Sequence, residues 1–208
     1  MELHTVVRYQ IYQIIKFTFK LLYRVVNIVP HRGLFVGRFQ PFHLGHLATI
    51  KFALKSVEQL VIVVGSADRS HELRNPFTAG ERIEMIRSSF DDDNEIEISR
   101  IFIIPVPDTN VHALWASQIN LLVPRYEIVF SNDPLTSILF SERGIRVVRA
   151  QLHNRRLFSA TEIRSRIVKD ESWKRLVTKG TLKVIEEVEG IKRIKALSTS
   201  KTKSHFNP

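Results

Sequence analysis

Apolar, strand-like runs alternate with helical patterns along most of this chain, and the alternation restricts the possible fold more than any other feature. Strands are predicted over residues 32–36, 60–64, 100–106, 127–130 and 145–148. Helices are predicted over residues 44–57, 78–90, 111–122 and 134–141. A repeated βα order is typical of an α/β fold: a doubly wound parallel sheet, here of about five strands, with helices on both faces. A C-terminal helical segment is predicted to follow.

The junction after the first strand, GRFQPFHLGH at residues 37–46, is suited to hold phosphate. Gly37 lets the backbone turn without a Cβ, and Pro41 stops the strand. The helix that follows directs its free N–H groups and the positive end of its dipole back at the turn, where an anion is the natural guest.

His43 and His46 lie three residues apart, so both rings can point from the first helical turn toward the same guest, with Arg38 approaching from the strand. Neutral imidazoles donate hydrogen bonds, and protonated ones add charge. The alternatives are a metal-binding pair or plain helix caps. A metal needs further ligands, and the chain has no cysteine and only scattered other histidines.

A second anion receptor is predicted at residues 155–164, RRLFSATEIR. Ser159 and Glu162 have capping-box spacing, which marks a helix start near Ala160. The free N–H groups of that helix could act together with Thr161 and Arg164, while Arg155 approaches from the loop. A plain capped helix explains the same residues, but two such junctions together favour a triphosphate held between two helix ends.

Length, cysteine content and charge narrow the function classes. The chain has 208 residues, enough for one enzyme-sized domain, and its lack of cysteine excludes disulfides and thiol nucleophiles and is compatible with a cytoplasmic protein. Most of the net charge of +10 lies in residues 1–30 and 191–208. Nucleic-acid binding is therefore not expected, because the basic patch of a nucleic-acid-binding protein normally lies along the surface of the folded domain.

The two ends of the chain differ from its middle. Residues 1–30 form an N-terminal extension of uncertain role, with cations at positions 8, 16, 20 and 24. No apolar run there approaches the ~18 residues of a membrane span. The hypotheses that remain are an interfacial helix, an oligomer contact, an additional helix, or sequence translated from an upstream start that the mature protein lacks. Residues 31–197 are predicted to form the domain, and residues 198–208 a mobile basic tail.

The two phosphate junctions resemble those of a known superfamily. Residues 37–46 resemble the H-x-G-H signature of nucleotidylyltransferases, and residues 158–164 resemble their late S-x-T-E-I-R motif. Five further blocks resemble the archaeal-type nicotinamide-nucleotide adenylyltransferases: GSA at 65–67, NPFTAGER at 75–82, IPVPD at 104–108, ALW at 113–115 and SNDPL at 131–135. The resemblance covers residues 32 to 197 and implies a Rossmann-like fold.

The resemblance implies that ATP, with Mg²⁺ on its phosphates, adenylylates nicotinamide mononucleotide to give NAD and pyrophosphate. It implies a homo-oligomer, commonly a hexamer, and no protein-held metal. The catalytic candidates that it implies are Arg38, His43, His46, Arg74 and Arg164. The further candidates for ATP and phosphate are Gly37, Phe39, Gln40, Pro41, Phe42, Ser131, Asn132, Arg155, Ser159 and Thr161. The candidates for the nicotinamide side are Asp108, His112 and Trp115.

The chain departs from the family pattern at three positions. His112 stands where the family usually has asparagine, and Phe130 and Phe158 stand where tyrosine is common. The contacts to the nicotinamide nucleotide that the family makes through asparagine would therefore be made by an imidazole here. Two alternatives remain: a nucleotidylyltransferase for another phosphorylated acceptor such as phosphopantetheine, or a protein that binds nucleic acid or a membrane surface through its basic ends.

Overall fold

The fold is built on one parallel sheet. The computed structural model describes residues 30–91, 93–150 and 158–203. All five strands of this part run parallel, in the order β3-β2-β1-β4-β5. Their bounds are β1 Arg32–Gly37, β2 Gln59–Val64, β3 Ile101–Pro105, β4 Ile128–Phe130 and β5 Arg146–Val148. The predicted sheet is confirmed, and each strand matches its prediction to within one residue at either end.

Seven α-helices connect and follow the strands in the described residues. Their bounds are α1 Leu44–Leu54, α2 Ala79–Asp91, α3 His112–Leu122, α4 Pro134–Ser141, α5 Ala160–Val168, α6 Lys179–Glu187 and α7 Gly190–Lys203. Short 3₁₀ turns occupy Ile98–Arg100 and Lys174–Leu176. Helices α5 to α7 form the predicted C-terminal helical segment.

Apolar side chains cover both faces of the sheet. One core packs strand residues such as Phe35 and Ile62 against α1, α2 and α5 to α7. The other packs Leu34, Val61 and Val63 against α3 and α4. Successive residues of one strand thus face opposite cores, as expected for a sheet buried on both sides.

The strand order places a switch point beside β1. The chain builds β2 and β3 on one side of β1, then crosses to build β4 and β5 on the other. The connections at the carboxyl ends of β1 and β4 therefore separate, which opens a crevice between them. The 37–46 junction begins at this crevice.

The C-terminal helices pack against α2. A Cβ at Gly180 would lie 2.3 Å from the backbone carbon of Ser88, so only glycine lets α6 approach α2 this closely. Arg193 of α7 makes an ion pair with Glu81 of α2 at 2.7 Å. These contacts hold the helical segment against the sheet domain.

Helix α7 ends at Lys203 and so includes the first residues of the predicted tail, 198–208. Serine and threonine are compatible with the helix there, because the hydroxyls of Ser198 and Thr199 donate to backbone carbonyls three residues earlier. Residues 1–29 and 204–208 lie outside the described part. None of the described helices is long and apolar enough to cross a membrane.

Candidate active site

Two adjoining cavities open at the carboxyl end of β1. The larger measures 620 Å³ and the smaller 310 Å³. Val36, Gly37, Arg38 and Asp133 line both. The strand end and the first turn after it therefore form the boundary between two compartments, at the crevice that the topology predicts.

The turn after β1 is locked in place by its own side chains. A Cβ at Gly37 would lie 2.7 Å from the ring of Phe39, whose backbone is left-handed with φ of 52°. The buried Gln40 donates to the carbonyl of Phe77 at 2.8 Å and accepts from the N–H of Phe77 at 2.9 Å. The turn is thus tied to the loop before α2, which carries Arg74.

His43 and His46 form a reciprocal cap at the start of α1. The N–H of His46 donates to Nδ1 of His43, and the N–H of His43 donates to Nδ1 of His46, both at 3.3 Å. Because each Nδ1 accepts, each neutral ring carries its proton on Nε2. The rings stack with centroids 3.5 Å apart, and both line the small cavity.

The surroundings keep both rings neutral. Burial lowers the pKa of His43 to about 3, despite a backbone hydrogen bond that acts in the opposite direction. Burial first, and the neighbouring His43 second, lower the pKa of His46 well below its ordinary 6.5. The pair therefore acts as two neutral hydrogen-bond donors in the free protein, and the added charge that protonated rings would bring is absent near neutral pH.

Acidification is expected to destabilise the free protein through these rings. His43 has a pKa of about 3 in the folded state and 6.5 as a reference, so between these values the unfolded chain binds the extra proton. The contribution of neutral His43 to folding stability is fully present above pH 6.5 and decreases as the pH falls toward 3. From pH 7 to pH 5, His43 alone should cost about 2 kcal/mol.

Urea unfolding at pH 7 and pH 5, in buffer without phosphate, measures this loss. The matched variant is His43→Asn, because asparagine caps a helix well and does not titrate. We expect its pH-dependent loss of stability to be smaller by about 2 kcal/mol. Equal losses in the two proteins would contradict the neutral, buried state of His43.

Helix α5 supplies the opposite wall of the small cavity. The Ser159 hydroxyl accepts from the N–H of Glu162 at 3.2 Å, so the predicted cap is present. Arg164 is buried and donates from Nη1 to the carbonyl of Gln40 at 2.7 Å, which ties α5 to the turn after β1. Burial first, then Arg38 and Arg74, lower its pKa to about 10, so it stays charged at neutral pH.

The large cavity has a different chemical character. Asp108 accepts from the Ser66 hydroxyl at 3.0 Å, and Trp115 packs edge-on against Phe140 with centroids 6.1 Å apart. His112 is the first residue of α3 and lines this cavity together with Arg74. The compartment thus combines an aromatic ring, a carboxylate and a cation.

The structure brings nearly all the candidate residues together. Those at the small cavity are Gly37, Arg38, Phe39, Gln40, His43, His46, Ser131, Asn132, Ser159, Thr161 and Arg164. Those at the large cavity, apart from the shared Gly37 and Arg38, are Arg74, Asp108, His112 and Trp115. Arg155 lies outside the described residues.

Pro41 and Phe42, two of the phosphate candidates, lie beneath the surface of the turn. Neither lines a cavity, and both are buried. The Phe42 ring lies against the His46 ring, with centroids 5.5 Å apart, and it belongs to the core. Phe42 therefore connects the His46 ring to the core.

Sequence reasoning assigned no role to several residues that build the site. Asp133 borders both cavities and caps α4 by accepting from the N–H of Thr136 at 2.8 Å. An aspartate before Pro134 is a recognisable helix start, so this signal was available. Ser66 and Arg82 gave no such signal, since their roles depend on contacts between separate loops.

Comparison with known proteins places the chain among nucleotide-transferring enzymes. The model of the cytidylyltransferase-like family matches residues 34–166. The nicotinamide-nucleotide adenylyltransferase of Pyrococcus furiosus is 43% identical over 169 residues, which cover 81% of this chain and 90% of that protein. The protein of the same name from Saccharolobus solfataricus is 45% identical over 166 residues, covering 80% and 96%.

A solved structure shares the fold. The bifunctional NMN adenylyltransferase/ADP ribose pyrophosphatase of Francisella tularensis, complexed with AMP and a manganese ion, superposes with a TM-score of 0.70 at 21% identity. The match covers 82% of this chain and 53% of that one, so the chain spans about half the length of the bifunctional protein.

Proposed function

We propose a mechanism from the premise that this chain belongs to the cytidylyltransferase-like family and, within it, to the nicotinamide-nucleotide adenylyltransferases. Its reaction is ATP plus nicotinamide mononucleotide to NAD plus pyrophosphate. The observation that carries the proposal is the pair of cavities that meet at Gly37 and Arg38, one rich in phosphate-binding groups and the other aromatic and acidic.

The small cavity binds the ATP phosphates. Its walls present the Nε2–H groups of His43 and His46, the N-terminus of α5 and the guanidinium of Arg164. Phosphate oxygens are acceptors and carry charge, so neutral donors and a buried cation together suit a polyphosphate. Ser159, Thr161, Ser131 and Asn132 add polar groups to the same wall.

The large cavity binds the acceptor nucleotide. Trp115 offers an aromatic face for the pyridine ring, and Asp108 and His112 offer polar groups at the same wall. Phosphopantetheine, the acceptor of the alternative hypothesis, has no aromatic ring that could stack on Trp115. The nicotinamide nucleotide is therefore the better match to this compartment.

Transfer proceeds directly between the two compartments. An oxygen of the acceptor 5′-phosphate bonds to the α-phosphorus of ATP, and the bond from that phosphorus to the bridging oxygen breaks. The electron pair of the broken bond leaves with pyrophosphate, so no covalent enzyme intermediate forms. Arg38 borders both cavities and Arg74 lines the acceptor side, so these guanidinium groups can offset the charge that builds up between two phosphates.

Mg²⁺ enters with ATP as part of the substrate. Two arginines and two histidines that line the small cavity fit phosphate oxygens, and Asp133, a carboxylate of that lining, caps α4. Mg²⁺ prefers oxygen ligands such as those of the phosphates themselves. We also propose that the protein is cytoplasmic and a homo-oligomer, with a hexamer as the specific state; light scattering on the purified protein measures the latter.

One assay tests the proposed reaction. The protein is incubated with ATP, Mg²⁺ and, separately, nicotinamide mononucleotide, nicotinic acid mononucleotide or phosphopantetheine, and pyrophosphate and adenylylated product are measured. We expect NAD and pyrophosphate in equal amounts from nicotinamide mononucleotide. If phosphopantetheine is the one acceptor of the three that gives an adenylylated product, the acceptor assignment is wrong. If pyrophosphate forms without any adenylylated product, the proposed adenylyl transfer is wrong.

A further inference from the structure

Arg82 is a fully buried arginine that lies beneath the cleft and lines neither cavity. Its side chain is 0% exposed. Nη1 donates to the carbonyls of Arg38 at 2.8 Å and Gly65 at 2.7 Å, and Nη2 donates to that of Ser66 at 3.0 Å. Nε donates to the carbonyl of Thr78 at 3.0 Å. Four of the five guanidinium N–H groups therefore bind backbone oxygens.

The carbonyls that Arg82 binds belong to different parts of the site. Arg38 follows β1, Gly65 and Ser66 follow β2, and Thr78 precedes α2. Apart from Arg82, Gly65 is joined to the β1 end by the hydrogen bond from its N–H to the carbonyl of Gly37 at 2.9 Å. One planar side chain thus fixes the spacing of the two strand ends from which both cavities are built.

A second step connects Arg82 to the acceptor side. Ser66, whose carbonyl Arg82 holds, has a left-handed backbone with φ of 50° and donates its hydroxyl to Asp108 at 3.0 Å. The N–H of Asp108 in turn donates to the carboxylate of Asp68 at 2.9 Å. The position of the Asp108 carboxylate therefore depends on the turn that Arg82 holds.

The charge of Arg82 is buried, so its guanidinium depends on hydrogen-bond acceptors in the protein. Burial and then Arg38 lower the pKa of Arg82 to about 10, while Asp108, Asp68 and Glu81 act in the opposite direction, so the group is charged at neutral pH. Burial of a cation is costly unless its donors are satisfied. Here backbone carbonyls from three segments satisfy it, which ties the favourable energy to one backbone geometry.

On the basis of the proposed function, we propose that Arg82 is a positioning residue for adenylyl transfer, which sets the ATP side through the carbonyl of Arg38 and the acceptor side through Ser66 and Asp108. It touches neither substrate. Its effect is on the distance and angle between the two bound phosphates, and small displacements of reacting groups are costly to the rate.

Arg82→Lys tests the role of the planar fork, because lysine keeps the charge but offers one nitrogen in place of three. We expect kcat to fall about 100-fold, with the KM for both substrates raised. The matched control is Arg100→Lys. Arg100 likewise donates to three backbone carbonyls, those of Leu54, Val57 and Glu58, at the opposite end of the sheet.

The control should lower the melting temperature as Arg82→Lys does, yet leave kcat within about threefold of the wild type. If both variants keep wild-type kcat and KM well below their melting temperatures, Arg82 has a purely structural role and the inference is wrong. If Arg82→Lys does not fold, the Ser66 variant below tests the acceptor half of the proposal, and unchanged kinetics there overturn it.

Ser66→Gly removes the hydroxyl that holds Asp108, while glycine accepts the left-handed backbone and leaves the carbonyl for Arg82. We expect the KM for nicotinamide mononucleotide to rise about tenfold and the KM for ATP to stay within threefold. Equal changes in both KM values, or none, would overturn the connection. Because these outcomes are compared with a wild-type enzyme that forms NAD, a wild type that forms none refutes the proposed function instead.

Discussion

His46→Gln is expected to lower kcat by about 10² to 10³, with little loss of folding stability. Glutamine at the third position of a helix can return a hydrogen bond to the backbone N–H of the cap residue, as the His46 ring does for His43. Its amide lacks the aromatic ring that stacks on His43 and Phe42, so its N–H donor is not held in the position of the His46 Nε2–H. The variant therefore removes one phosphate donor and keeps the helix start.

Steady-state rates with saturating ATP and nicotinamide mononucleotide measure this effect, and thermal unfolding checks the fold. The matched control is His31→Gln, since His31 is exposed at the opposite end of β1 and pairs with Glu58 at 2.8 Å. We expect the control to keep wild-type activity. If His46→Gln keeps kcat within threefold of the wild type, the ring is a helix cap and not a catalytic group.

The architecture was predictable because its signals are local. Each strand is a short apolar run, and each helix between strands repeats apolar residues at helical spacing, so the elements were assigned to within a few residues. The cap at Ser159 likewise depends on residues three apart, and its hydroxyl accepts from the N–H of Glu162 as predicted. The Glu162 carboxylate pairs with Arg166. Such patterns are set by chain geometry within one element, and tertiary packing reinforces them.

The protonation state of the histidines was not predictable in the same way. Spacing places both rings on one face, but their pKa values depend on burial among Phe39, Phe42 and each other. The burial of the Phe42 ring was likewise not predictable from spacing, because it depends on packing in the core. A phosphate motif therefore contains residues that contact the ligand and residues that support them.

Long-range contacts account for the rest of what the sequence does not reveal. Arg82 lies in a helix whose sequence is an ordinary amphipathic pattern, and its partners are backbone carbonyls, which leave no residue-type signal. Ser66 and Asp108 are 42 residues apart and meet only because β2 and β3 are neighbours. Both contacts require the strand order before they can be seen.

Arg164→Lys is expected to lower kcat/KM by about 10² to 10⁴, because a single side chain here has to satisfy the protein and the substrate together. One nitrogen of Arg164 holds the carbonyl of Gln40, and the guanidinium also borders the small cavity. Lysine has one side-chain nitrogen. It can keep the hydrogen bond to the Gln40 carbonyl or bind a phosphate, but it has no second nitrogen in a planar group to do both in the geometry of arginine.

The control for this variant lies two residues away on the same helix. Arg166 makes an ion pair with Glu162 at 2.8 Å and lines neither cavity, so Arg166→Lys should change kcat/KM by less than about twofold. If the two lysine variants have rates within threefold of each other, the buried guanidinium of Arg164 contributes no more than a surface charge. A large difference between them, with similar melting temperatures, identifies α5 as the second wall of the triphosphate site, opposite the His43 and His46 pair.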